Sequence, residues 1–149
     1  MVESKAKTRW DGIAFGGTKI ALLCGNHIVA YLRDDKPGIP FPGMWDLPGG
    51  GREGDESPIE CGIREVSEEF GLTLNAADVV LVERNQSSTS GLVSYFCAVK
   101  IDQADVANIR FGDEGQRWEM MAVSEFVNHE AAVPHLRNRL RALLEANLV

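Results

Sequence analysis

The chain has 149 residues, 44% of them apolar, which is enough to bury one core and too few for two ordinary domains. A formal charge of −7 has the wrong sign for gripping a nucleic-acid polymer, although a small phosphorylated ligand can still be held through divalent cations. No apolar run approaches the roughly 20 residues of a membrane span, and Cys24, Cys61 and Cys97 lack metal or redox spacing, so a cytoplasmic protein with free thiols and no membrane contact is expected.

Residues 1–9 read as a polar arm at the start of a single domain spanning 1–149, with no apolar leader behind its charges. TKIALLC (18–24) and HIVAYLR (27–33) are partly alternating apolar runs joined by Gly25-Asn26, residue types that tolerate the positive φ of a tight hairpin turn. Residues 34–56 are rich in proline and glycine, so mostly loop is expected there, with a short extended piece at 45–47. A loop of that length inside a domain is usually functional. Ser57 as N-cap, Pro58 at the first helical position, Glu60 closing an S-x-x-E box and Gly71 as the stop predict a helix over 58–70. At 1.5 Å per residue it is about 20 Å long. DVVLVER (78–84) and LVSYFCAVK (92–100) read as a strand pair across the polar link QSSTSG, and RWEMMAV (117–123) as a further strand. From Pro134 onward Leu136, Leu140, Leu143 and Leu144 mark an amphipathic closing helix. Strands then helix, twice over, imply an α/β fold with helices packed on a mixed sheet.

On the helix at 58–70, Ile59, Ile63, Val66 and Phe70 recur at spacings of four, three and four, which makes one buried stripe. Glu65 and Glu69, four apart, bring their Cβ atoms within about 5 to 6 Å, and Glu68 lies on the adjoining row. Like charges a turn apart repel by a few tenths of a kcal/mol, so a cation is expected among them. Hard oxygen ligands of this kind suit Mg²⁺ or Mn²⁺.

Gly50, five residues, Glu56, seven residues, then Arg64-Glu65-Val66-x-Glu68-Glu69-x-Gly71-Leu72 resembles the signature of the Nudix hydrolases at every defined position. The order of hairpin, Pro-Gly-Gly approach loop, helix, strands and closing helix is similar to that family's. The resemblance implies a Nudix-type α/β/α sandwich that hydrolyses a diphosphate joined to another group. It implies Mg²⁺, with Mn²⁺ as a substitute, held by Glu65, Glu68, Glu69 and the carbonyl of Gly50. FGDEGQRW (111–118) resembles an acidic loop of MutT-like members, which makes Glu114 a further ligand or base. The proton acceptor is left open among Glu68, Glu69 and Glu114. Glu56 and Arg64 are expected to brace loop against helix as an ion pair.

Substrate contacts follow from the same resemblance. Arg33 is similar to a basic residue that meets substrate phosphate, its ordinary alternative being a solvated arginine at a strand edge. Leu47 is a candidate for the base pocket, with core packing as its default role. Trp45 and Phe41 are candidates to stack on a base, although aromatics in loops more often serve as anchors. Asn128 is a candidate for base recognition, with its register left open. His27, His129 and His135 lack ligand spacing and are expected at the surface, and Cys61 is expected to be a packing residue. FPGMWDLPGGG looks MutT-like, which favours a nucleoside triphosphate cleaved to monophosphate and pyrophosphate. The runner-up is a nucleoside-diphosphate sugar, followed by a non-catalytic nucleotide-binding regulator, which commonly lacks one of the glutamates present here. ADP-ribose-type relatives usually carry a proline beyond the box, whereas no proline separates Pro58 from Pro134 in this chain. The expected partner is therefore a small nucleotide; dimerisation is left open.

Overall fold

The computed structural model describes residues 10–87 and 90–149. The expected arm at 1–9, and residues 88–89 of the polar link, lie outside the described residues. Strands β1 (Gly17–Cys24) and β2 (His27–Leu32) form the expected hairpin, turning on Gly25 with a φ of 61°. They pair only beside the turn, at Leu23 with Ile28 and Cys24 with His27. Beyond that point they part, and the segment 45–51 fills the gap. There β3 (Trp45–Asp46) pairs with Leu32 and Tyr31, while β4 (Gly49–Gly51) pairs with Lys19, Thr18 and Gly17.

Residues 34–56 are mostly loop, as expected, with the extended piece at β3; the unexpected addition is β4, a strand made of three glycines that strand propensity would not choose. Close approach explains it, because a Cβ on Gly49 would overlap the Thr18 carbonyl and one on Gly17 would overlap that of Gly50. Only glycine lets these two backbones meet.

On the far edge of β1, β6 (Val93–Lys100) runs parallel to it and is flanked in turn by antiparallel β5 (Val79–Gln86). On the far edge of β2 lies antiparallel β7 (Arg117–Ala122), completing one mixed sheet of seven strands. Helix α1 (Pro58–Phe70) covers one face, where Ile59, Val66 and Phe70 pack on Ile20, Leu22, Cys97 and Val99. Its ends are set by local chemistry: Ser57 and Glu60 exchange cap bonds of 3.2 and 2.9 Å, and Gly71 closes it at a φ of 69°. In the expected stripe Ile63 is only half-buried, while Gly62 is buried and packs so closely on Ile20 that a Cβ there would overlap its side chain.

The opposite face carries α3 (Val123–Val127) and α4 (Pro134–Glu145), with Phe126, Leu136, Leu140 and Leu143 over Ala21, Leu23, Phe96 and Ala98. The architecture is thus an α/β/α sandwich. The short helices α2 (Gln103–Ala107) and α3 were not expected, since five residues are too few for an apolar period to show. Among the described residues no helix is long and apolar enough to cross a membrane.

Candidate metal centre and substrate cleft

The acidic flank of α1 meets the glycine strand β4. A Cβ on Gly50 would lie 2.6 Å from the Glu65 carboxyl carbon, so the missing side chain lets backbone reach the helix. The Gly50 carbonyl accepts a hydrogen bond from the Cys61 thiol at 3.6 Å, and the Gly49 N–H donates to Glu69 Oε1 at 2.8 Å. Burial pushes the Glu69 carboxyl up to about 7, against the opposing pull of the Gly49 N–H and Lys19. Glu65 is also raised, first by burial, with Arg64 opposing and Glu68 and Glu114 adding to it.

Arg64 supplies the counter-charge. Its Nη1 lies 2.7 Å from Glu53, 2.9 Å from Glu68 and 3.2 Å from Glu65. Its Nε donates to Glu56 at 2.7 Å, and Nη2 donates to the Gly51 carbonyl at 2.7 Å. One guanidinium therefore ties the loop to the helix through the Glu56–Arg64 pair while aligning three further carboxylates. The hydrogen bond to Glu56 is the largest reason its own pKa rises. Oxygens of Glu53, Glu65 and Glu68 all lie within 4.8 Å of one another with Arg64 Nη1 among them, so the donors are hard oxygens of the kind a divalent cation takes, but the charge between them here is the guanidinium's. Glu69 is outside that trio, its Oε1 being engaged by Gly49. Glu53 was missed in the sequence because it falls in the variable stretch between Gly50 and Glu56.

A cleft of about 260 Å³ is lined by Glu65, Glu68, Glu69 and residues 112–114. The loop after α2 thus brings exposed Glu114 beside the three helix carboxylates. Glu114 also lines an adjoining cavity of about 240 Å³, shared with Tyr31, Arg33, Asp34 and Lys36.

Arg33 is held rather than waving in solvent. Its Nη1 lies 2.8 Å from Asp46 Oδ2, and its Nε donates to the Pro40 carbonyl at 2.8 Å. Asp46, 3% exposed, also accepts from Lys19 Nζ at 2.9 Å and the Tyr31 hydroxyl at 3.1 Å. Burial alone would raise the Asp46 carboxyl, but Lys19, the Leu47 N–H and Arg33 hold it below its ordinary value. This hub escaped the sequence reading, because its partners come from separate strands with no short spacing to mark them.

Other expected contacts stand elsewhere. Leu47 has no exposed surface and packs in the core, so its place is the default one rather than a base pocket. Trp45 is 5% exposed, with the Arg117 guanidinium 4.9 Å above its ring, so a base has no open face of it to stack on. Phe41 is exposed at a φ of 50°, its ring 5.7 Å from that of His135. Asn128 ends α3 and donates to the Ser124 carbonyl at 2.9 Å; it lines neither cavity just described. His129, expected at the surface, is half-buried against Trp45 and accepts from the Ala131 N–H.

A family model described as the NUDIX domain matches residues 18–143. No curated protein matches the chain. Among solved structures it is similar to a MutT protein from Methanosarcina mazei Go1, with a TM-score of 0.69 at 18% identity over 93% of this chain and 98% of that one. An Ap4A hydrolase from C. elegans matches with a TM-score of 0.67 at 17% identity, over 89% of this chain and 97% of that one. A bifunctional NMN adenylyltransferase/ADP ribose pyrophosphatase from Francisella tularensis, complexed with AMP and a Mn ion, gives a TM-score of 0.71 at 18% identity. That match covers 96% of this chain but only 46% of that one. At these identities the likeness is one of fold.

Proposed function

We propose that this chain, which belongs to the Nudix family of pyrophosphohydrolases, cleaves a nucleoside triphosphate or related nucleotide to a nucleoside monophosphate and pyrophosphate in a Mg²⁺-dependent reaction. The observation that carries this reading is the convergence of Glu65, Glu68, Glu69 and Glu114 on one cleft, with Arg33 and Lys36 in the cavity that Glu114 joins to it. The names of the similar structures, a MutT protein, an Ap4A hydrolase and an ADP ribose pyrophosphatase, support a substrate with linked phosphates.

Mg²⁺, or Mn²⁺ in its place, would be held by Glu65, Glu68, Glu69, Glu114 and the Gly50 carbonyl. When bound it neutralises phosphate charge and acidifies water. The remaining work falls to the chain's own groups. Glu69, raised to about 7 by burial, can take up a proton from water near neutral pH. Arg33, oriented by Asp46, presents a fixed positive charge to phosphate oxygens. Arg64 keeps the helix carboxylates in register without entering the chemistry. Three free cysteines support a reducing, cytoplasmic setting.

The test is a nucleotide panel with Mg²⁺, Mn²⁺ or chelator, in which phosphate, pyrophosphate and nucleotide products are resolved separately. Release of monophosphate and pyrophosphate in metal alone is expected. Absence of product from every nucleotide would overturn the reading. Nucleoside-diphosphate sugars belong in the same panel as the second reading, because Gly50 also lines a cavity of about 260 Å³ between the sheet and α4 with room for a further group.

A further inference from the structure

We propose that Arg52 is a positioning residue for the metal centre: lodged in an aromatic corner made by Trp10 and Phe15, it lets the segment ahead of β1 set how tightly a divalent cation is held. The proposal rests on the metal-dependent reading above and adds to it a residue that is not itself a ligand.

Three of the groups that grip Arg64 are carried by the stretch 51–56, namely the Gly51 carbonyl, Glu53 and Glu56. Arg64 in turn lies 3.2 Å from Glu65 and 2.9 Å from Glu68. The position of that stretch therefore reaches the carboxylates of α1 through one guanidinium. Gly51, Glu53, Gly54 and Asp55 are exposed, and nothing lies within 4 Å of a Cβ built on Gly54. A loop with so little packing of its own needs an outside anchor to hold one conformation.

Arg52, half-buried, is placed to be that anchor. Its backbone N–H donates to the Gly16 carbonyl at 2.8 Å, and its Nε donates across the turn to the Glu56 carbonyl at 2.8 Å. Its guanidinium carbon lies 4.7 Å from the centroid of the Phe15 ring and 5.0 Å from that of Trp10. The two rings meet edge to face, centroids 5.8 Å apart and planes at 90°, so the cation sits in the corner between them. That corner is fixed in turn. Phe15 is buried, edge-on to Tyr95 at 5.2 Å, in a cluster with Cys61 and Val93. Cys61 belongs to α1 and its thiol donates to the Gly50 carbonyl, so the same cluster borders the strand side of the metal centre. Trp10 Nε1 donates to the Ile13 carbonyl at 3.1 Å, which ties its ring to the same segment. A solvated arginine keeps many rotamers, whereas one with its Nε bonded and aromatic faces against its guanidinium has given that freedom up and can brace a loop.

Mn²⁺ affinity is read by electron paramagnetic resonance, free against bound, and separately as the Mn²⁺ concentration giving half-maximal turnover. Arg52→Met keeps apolar bulk beside the rings and removes the charge and the Nε donor. It should weaken Mn²⁺ binding about fivefold or more, while turnover at saturating metal stays within about twofold of wild type. Trp10→Ala should weaken binding about threefold, and Trp10→Phe should retain most of the affinity. Because Trp10 acts through Arg52, Trp10→Ala added to Arg52→Met should cause no further loss, whereas two independent losses of stability would add. Asp11→Asn removes a 3.6 Å ion pair from the same segment, but its partner Arg84 is on β5 rather than on the loop, so Mn²⁺ affinity should not change. Wild-type affinity in folded Arg52→Met, additive losses in the double variant, or an equal loss in Asp11→Asn overturns the proposal. If Arg52→Met fails to fold, the contrast between Trp10→Ala and Trp10→Phe decides it, equal affinities counting against. A wild-type protein that binds no Mn²⁺ would instead sink the metal-dependent reading, and the proposal with it.

Discussion

Gly49 and Glu69 are joined by a 2.8 Å hydrogen bond from the glycine N–H to the carboxylate Oε1, so the last acidic residue of α1 also fixes the strand that borders the cleft. Glutamine at 69 can accept the same bond but can neither take up a proton nor lend full charge to a cation. Glu69→Gln should therefore melt near the wild-type temperature while turnover falls by about 10² to 10⁴. Near-normal turnover in the folded variant would contradict its assignment.

The same carboxyl gives a pH signature. Its ordinary value is 4.5, and burial raises it to about 7 in the folded chain. Between those values the folded protein keeps a proton that the unfolded chain has released, so stability contributed by this group is present at low pH and lost as pH climbs to about 7. Urea midpoints of wild type minus Glu69→Gln, plotted from pH 4 to 8, should slope downward across that window. Because cation and proton compete for one carboxylate, Mn²⁺ affinity should rise over the same range.

Arg64 holds five groups at once: Glu53, Glu56, Glu65, Glu68 and the Gly51 carbonyl. Arg64→Met leaves half-buried Glu56 and Glu65 without their nearest positive charge. Unfolding free energy should drop by about 2 kcal/mol, the scale of hydrogen bonds to charged groups. Saturating Mg²⁺ should recover part of the loss, since a ligand that binds only the folded state stabilises it. A loss untouched by Mg²⁺ would separate Arg64 from the metal centre.

Gly50→Ala tests the site without removing a carboxylate. The added Cβ would stand 2.6 Å from the Glu65 carboxyl carbon, so that side chain must move. Displacing a ligand by about 1 Å is expected to lower kcat about 10²-fold. Gly54→Ala serves as the control, because nothing lies within 4 Å of a Cβ there and only its φ of 57° resists substitution.

Local signals in the sequence were sufficient for α1. Ser57, Pro58, Glu60 and Gly71 act within a few residues of themselves, and helical spacing alone puts Glu65, Glu68 and Glu69 on one flank. Tertiary contacts decided the rest. Three glycines become a strand only because β1 and β2 part and leave a gap that nothing bulkier fits. Asp46 draws Lys19, Tyr31 and Arg33 together from β1, β2 and the end of the hairpin, an arrangement with no periodic trace. Leu47 and Trp45 belong to the core because the segment that carries them is wedged into the sheet rather than looped over it.

Electron paramagnetic resonance of Mn²⁺, free against bound, in the presence of a non-hydrolysable nucleotide tests the central claim most directly. Wild type should bind the ion, and the Glu65→Gln, Glu69→Gln double variant should lose it while keeping its circular dichroism spectrum. A wild-type protein that leaves all Mn²⁺ free, or a folded double variant that binds it as well as wild type, would contradict the claim that α1 holds the metal.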